Sequence, residues 1–264
     1  MVFYTIGMSS SSAEPRPASP LTTSQAGAAS AALPPPPRLP RRQKQPARRT
    51  ALSLEAIVSA AVAVLDESGV AGLSMRRVAQ RLNTGAASLY AYVSGKDELV
   101  ELVFDELVSE VPLPEPDPAR WREQLYELLL DFHRVLSAHR DAALAGLGRI
   151  PTSPKTLRAA ETMVAIMRAG GLSDRVIALG LDQLILYVSA SAFEQGLYAH
   201  GEMTPEDVAQ YFEEIHAYYS ALPAQQYPVL ASIADDMTGF DGDARLRFGI
   251  DALIAGLEAV DRRG

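Results

Sequence analysis

The chain has 264 residues, 48% of them apolar, a formal net charge of −8 and no cysteine. That composition allows a core for one or two domains and excludes a disulfide framework, a thiolate metal site and a cysteine nucleophile. No uninterrupted apolar run reaches the roughly 18 residues of a membrane span, and the N-terminus lacks the basic-then-apolar order of a signal peptide, so a reducing cytoplasm and no membrane partner are expected.

The charge is unevenly divided. Between Arg38 and Lys96 ten basic residues face three acidic ones, whereas from Pro112 onward 13 basic residues stand against 22 acidic ones. Only the first region suits a polyanion. Residues 1–50 hold nine of the 18 prolines among many Ser and Ala and read as a low-complexity, disordered tail. The tail ends in "RLPRRQKQPARR", which includes Arg48 and Arg49. This run reads as a basic arm that gains order on DNA, with a merely solubilising tail as the alternative.

Helical periodicity begins at Ser53, an N-cap, with Leu54, Ile57, Val58, Ala61, Val64 and Leu65 on one face and Gly69 as the stop. Ser74 caps a second helix, "MRRVAQRL", which buries Met75, Val78, Ala79 and Leu82 and exposes Arg76, Arg77, Gln80 and Arg81. Asn83-Thr84-Gly85 makes a turn, since Asn and Gly best tolerate positive φ. A third short helix spans Ala86 to about Val93, and "KDELVELVFDELVSEV" makes a fourth. Prolines at 112, 114, 116 and 118 forbid a helix and favour an extended linker. Domains are therefore expected at 51–111 and 112–264. Beyond the linker, helices are expected at about 118–138, 141–148, 154–169, 173–198, 204–221 and 243–261. Residues 222–242 read as mostly loop, with a short helix near 229–234, and "DDMTGFDGD" reads as solvated loop. The fold class is all-α.

Two short helices joined by a tight turn form a helix-turn-helix, whose second helix enters the major groove. Gly85, Ala86 and Ala87 keep its leading edge narrow. Ser88, Tyr90 and Tyr92 offer hydroxyls to phosphates or base edges. Lys96, at the start of the next helix, suits a phosphate.

On "LSMRRVAQRL", the turn, "SLYAYV" and "KDELVELVFDEL", residues 53–107 resemble the DNA-binding domain of the TetR family of bacterial transcriptional regulators. The resemblance implies an all-helical homodimer on a pseudo-palindromic double-stranded operator. It also implies a larger C-terminal domain that binds a small molecule, and a fourth helix that moves on ligand binding and releases the DNA. Tyr90 and Lys96 match positions that grip phosphates. Ser88 matches a usual Thr, and Arg76 matches a position that reads a guanine in the tetracycline-repressor branch. The chain departs from the pattern at Asn83 (usually Gly), Thr84 (usually Val) and Tyr92 (frequently His). Ala86 and Ala87 lack long reading side chains, which shifts weight to Arg76, the tyrosines, the arm and DNA shape.

In the last helix Leu246, Ile250, Leu253, Leu257 and Val260 recur at heptad spacing, beside the small residues Gly249, Ala252, Gly256 and Ala259. Helix glycines cost roughly 1 kcal/mol each, which fits close approach of another backbone. "RLRFGIDALIAGLEAV" resembles the closing helix of a tetracycline-repressor-type domain, which implies a dimer interface at Leu246, Gly249, Ile250, Leu253, Gly256 and Leu257. An effector pocket is expected between helices. Trp121, Phe132, His133, Leu136, Met163, Met167, Gln183, Tyr187 and Phe193 are its candidate lining, each equally readable as plain core. The effector would be small and hydrophobic or amphipathic.

The four histidines have no ligand spacing, and no metal or cofactor is expected. Without GxSxG, HExxH or GxxxxGK[ST], no catalytic residue is assigned and no enzyme is expected. The reading is a ligand-responsive regulator, a repressor released from its operator by a small molecule. The alternative is a DNA-binding regulator without small-molecule input, answering to a protein partner or acting architecturally.

Overall fold

The structure is a computed structural model that describes residues 52–201, 204–239 and 242–263. The basic arm with Arg48 and Arg49 lies outside the described residues. Among the described residues there are twelve helices and no strand.

Helix α1 (Leu54–Gly72) begins where the Ser53 hydroxyl accepts the Ala56 amide at 3.2 Å, satisfying one of the donors a helix start leaves unpaired. Its regular part ends at Gly69, whose φ of +66° is open to glycine and strained for other residues. Space requires glycine there too, because a Cβ would collide with the Asp141 carboxylate. Helix α2 (Met75–Arg81) is capped by Ser74, whose hydroxyl accepts the Arg77 amide at 3.3 Å.

The turn after α2 explains Asn83. The Thr84 amide reaches the Ala79 carbonyl at 2.9 Å and the Asn83 amide reaches Gln80 at 3.1 Å. These are the paired bonds of a Schellman ending, with Asn83 as its left-handed residue at φ +52°. Helix α3 (Ala86–Leu89) is shorter than expected, because the Tyr92 and Val93 amides both turn back onto the Leu89 carbonyl. Helix α4 (Lys96–Val108) follows.

Residues 112–117 carry no helix, as alternating prolines demand. The buried side chain of Gln124 pins them, accepting the Asp117 amide at 2.8 Å and donating to the Glu115 carbonyl at 2.7 Å. The linker does not interrupt the core. One buried cluster runs from Ile57 through Leu107 and Leu128 to Ile254, and each fully buried Leu or Ile contributes about 1.5–3 kcal/mol.

The remaining helices are α5 (Trp121–Ala138), α6 (Ala142–Gly146), α7 (Pro154–Ala169), α8 (Asp174–Ala199), α9 (Pro205–Ser220), α10 (Pro228–Ser232), α11 (Ala234–Thr238) and α12 (Gly242–Asp261). Helix α8 packs against α5 on one side and α12 on another. By length and mean composition α8 is long and apolar enough to cross a membrane, although it contains no uninterrupted apolar run of that length. Asp182 and Gln183 break the run without lowering the average enough. Its inner residues Ile177, Leu184, Val188 and Ala192 are buried in the core. Part of "DDMTGFDGD", expected to be loop, is helical in α11, where Thr238 meets His216 of α9 at 2.5 Å.

Candidate nucleic-acid interface and effector region

Helix α3 presents a narrow edge. Gly85, Ala87 and Ser88 are exposed while Leu89 anchors the helix from below. A Cβ at Gly85 would have no neighbour within 4 Å, so nothing in the described chain hinders approach there. Tyr90 stands 56% exposed with its ring outward. Ala86 is half-buried and serves the inner side of α3 more than the edge. Ser74 is committed as a cap.

The cations of α2 differ in their freedom. Arg77 donates to the Gly72 carbonyl at 3.4 Å, and Arg81 pairs with Glu67. Both are thereby tied back to α1. Arg76 is exposed and has no hydrogen-bond or ion-pair partner among the described residues, so its guanidinium keeps all its donors for a ligand. Two expected contacts are partly spent inside the protein. The Tyr92 hydroxyl donates to the Leu52 carbonyl at 2.8 Å, and Lys96 Nζ donates to the Val70 carbonyl at 3.0 Å. Tyr92 retains acceptor capacity and Lys96 two further donors. The bonds fix these side chains beside α3 and α4.

The α5–α6 corner clasps the end of α1. Asp141 Oδ2 accepts the Val70 amide at 3.1 Å, and His139 Nδ1 lies 3.0 Å from Asp66 Oδ1. Asp141 adopts φ +56° and makes no cap bond to its own helix. From sequence, His139 enters only among the four histidines without ligand spacing, and Asp141 has no assigned role.

The expected pocket residues divide into four groups. Phe132, Leu136, Met163 and Met167 share one buried cluster on α5 and α7, and buried His133 meets Ser191 of α8 at 3.3 Å. Burial pushes the His133 pKa down, against the opposing hydrogen bond to Ser191 and the charge of Asp243. Trp121 lies about 18 Å along α5 from His133, packed over Gly170, and does not join them. Tyr187 covers Gly249 and donates to the Arg245 carbonyl at 3.0 Å, with its own pKa raised by burial. Gln183 and Phe193 correct the expectation, since both point outward from α8. The 3.6-residue period places them opposite Leu184 and Val188. A separate open cleft of about 220 Å³ is lined by Arg122, Glu123, Tyr126, Asp251 and Ile254. Its charged walls do not suit a hydrophobic molecule.

The heptad residues of α12 also need correction. Leu246 and Ile250 are buried within the protomer. Leu257 packs against Gly180, and Gly249 faces Tyr187. Leu253 and Leu257 are half-buried, leaving Gly256 as the expected residue that faces open space. The outward apolar residues of α12 are Phe248, Ala252, Ala255 and Val260. Helix α8 carries an exposed row of its own: Leu179, Gln183, Leu186, Ala190, Phe193 and Leu197, spaced by alternate fours and threes as in a helix–helix seam. From sequence the helix at 173–198 is the expected partner of the closing helix in the dimer bundle, but the pattern names no interface residue on it, because both of its faces are apolar.

A presented helix-turn-helix on an all-helical body is the architecture of a DNA-binding regulator. Residues 57–103 match the family model "Bacterial regulatory proteins, tetR family", and residues 113–260 match "Tetracyclin repressor-like, C-terminal domain". An HTH-type transcriptional regulator of Saccharopolyspora erythraea is 33% identical over 83% of this chain and 90% of its own length. The HTH-type transcriptional repressor DrrR1 of Streptomyces coeruleorubidus is 31% identical over 84% of each. The structure of the TetR family protein ActR of Streptomyces coelicolor in complex with actinorhodin is 40% identical with a TM-score of 0.74, covering 80% of this chain and 98% of that one. The chain belongs to the TetR family and is a ligand-responsive DNA-binding transcriptional regulator of the repressor type.

Proposed function

We propose that two copies of this chain bind a pseudo-palindromic operator through α2 and α3 and release it when a small hydrophobic or amphipathic molecule enters between α5, α7 and α8. Residues 51–111 form the reading unit and residues 112–264 the effector and dimer unit. The observation that carries the reading is the open edge at Gly85, Ala87 and Ser88, flanked by exposed Tyr90 and by Arg76, which is exposed and without a partner among the described residues. In this assignment Arg76 reads a base. Ser88, Tyr90, Lys96 and the second face of Tyr92 hold phosphates, and the arm with Arg48 and Arg49 adds charge. Phe132, His133, Leu136, Met163 and Met167 surround the effector. The dimer forms where the α8 seam meets its symmetry copy, with Phe248 and Val260 of α12 beside it. An isologous contact of this kind sets two reading helices one DNA turn apart.

The test is fluorescence anisotropy with DNA upstream of the chain's own gene, across a salt series, against scrambled DNA. Specific binding at two protomers per site is expected, with log K falling by about 0.9 per neutralised phosphate for each decade of salt. Actinorhodin, the ligand named for the 40% identical relative, is the first effector to add. Release of DNA with a rise in Tm supports small-molecule control, and equal affinity for scrambled DNA across all upstream duplexes would sink the operator assignment.

A further inference from the structure

Helices α1, α2 and α9 take their N-terminal caps from the residue just before them: Ser53, Ser74 and Thr204. Helix α7 does not. Its preceding residue, Ser153, makes no side-chain cap bond to its own helix, and its first position is Pro154, which has no amide hydrogen. The amides that remain at the α7 start, Lys155 and Thr156, both donate to a single oxygen of Asp105, at 3.0 and 2.9 Å. Asp105 belongs to α4, 51 residues before Thr156, and it is buried.

The same edge of α4 makes further contacts. Glu101 accepts the hydroxyls of Thr152 at 2.6 Å and Ser153 at 2.9 Å, which hold its carboxyl below the ordinary carboxylate range. Glu106 pairs with the Lys155 ammonium. Three carboxylates at positions i, i+4 and i+5 therefore grip one helix start. The other side of α4, through Leu99, Val103 and Leu107, lies in the core it shares with α1.

We infer that Asp105 is the positioning residue that joins the effector unit to the reading unit, by capping α7 from α4. The inference rests on the proposed effector site, whose α7 wall carries Met163 and Met167. A carboxylate that accepts two amides along a helix axis is directional, so α7 cannot shift along its axis without drawing α4 with it or leaving two backbone donors unpaired, the Thr156 amide among them buried. Lys96, at the other end of α4, moves with that helix.

Because coupling between two sites is reciprocal, it is readable from the DNA side without an effector. The experiment measures amide exchange of segment 152–158 by mass spectrometry, with and without the upstream duplex that binds in anisotropy. In the unsubstituted protein DNA should change exchange at Lys155 and Thr156 by about fivefold or more. Asp105→Asn alone could lose stability, so it is paired with Ser153→Asn, which gives α7 an uncharged cap of its own and still offers a donor to Glu101. The double variant should return the Tm to within about 3 °C while its exchange no longer responds to DNA. A response that persists in the stable double variant, or is missing from the unsubstituted protein while it binds DNA, overturns the joint. Failure of the unsubstituted protein to bind any duplex, seen in the anisotropy itself, overturns the underlying reading and the joint with it.

Discussion

The α2–α3 end and the α8–α12 face both hold large side chains in solvent, but of opposite kinds. At the first, Tyr90, Tyr92 and Arg76 stand out from a base of small residues, and no large aliphatic side chain is exposed among them. At the second, Leu179, Leu186, Leu197 and Phe248 are exposed, Phe248 by 75%, with few charges among them. A surface that meets a hydrated polyanion gains from donors and a slim backbone and has little apolar area to bury. A surface that meets its own copy gains from removing apolar area from water. The contrast separates two jobs that helix content alone would not distinguish.

The sharpest way to break this comparison is to charge the apolar face. Leu186→Glu would place a carboxylate and its symmetry mate in the seam, an uncompensated burial worth about 3–5 kcal/mol. Sedimentation should then show monomers, and operator affinity should collapse with them; a dimer of unchanged affinity would remove the seam from the interface. Next in size, Ile250→Ala opens the interior of the protomer itself and should lower its stability by about 2–5 kcal/mol. Phe248→Ala, two residues away, should leave protomer stability nearly unaltered and weaken association instead. Chemical denaturation across a range of protein concentrations separates the two, and equal behaviour would blur inner and outer faces.

At the DNA end the effects are smaller. Arg76→Ala should relax preference at one base pair by about 1–3 kcal/mol, measured as the ratio of specific to scrambled binding; equal losses on both would make Arg76 a phosphate contact. Tyr90→Phe should weaken both kinds of DNA alike by about 1 kcal/mol. The smallest effect concerns pH. Burial holds the folded pKa of His133 below its ordinary value, so the unfolded chain takes up the proton first as the solution is acidified. The contribution of neutral His133 is present above about pH 6.5 and is lost as pH falls from there through the depressed folded value. The Tm of His133→Gln should fall less steeply between pH 7.5 and 5.5 than that of the unsubstituted protein, and parallel slopes would contradict this.

Much of the fold was legible because its signals are local. Ser53, Ser74 and the alternating prolines act on their own neighbours, and the helix starts fell within a few residues of expectation. Asn83 looked like a departure from the family pattern, yet its left-handed backbone performs the service glycine gives elsewhere. The faces of α8 were not legible in this way. Leu184 and Leu186 are chemically identical, and only packing against α5 and α12 decides that one is core and the other seam. Gln183 and Phe193 were misdirected for the same reason. Asp105 escaped notice because a carboxylate on an amphipathic helix looks solvated until the helix it caps is placed against it.

The outward seam of α8 has a bearing on dosage. A regulator that must pair before it can grip both half-sites occupies its operator in proportion to the square of its copy number while free protomers predominate. Halving its synthesis would then cut occupancy fourfold, and a gene under its control would answer to small changes in expression with a sharpened threshold that owes nothing to the effector.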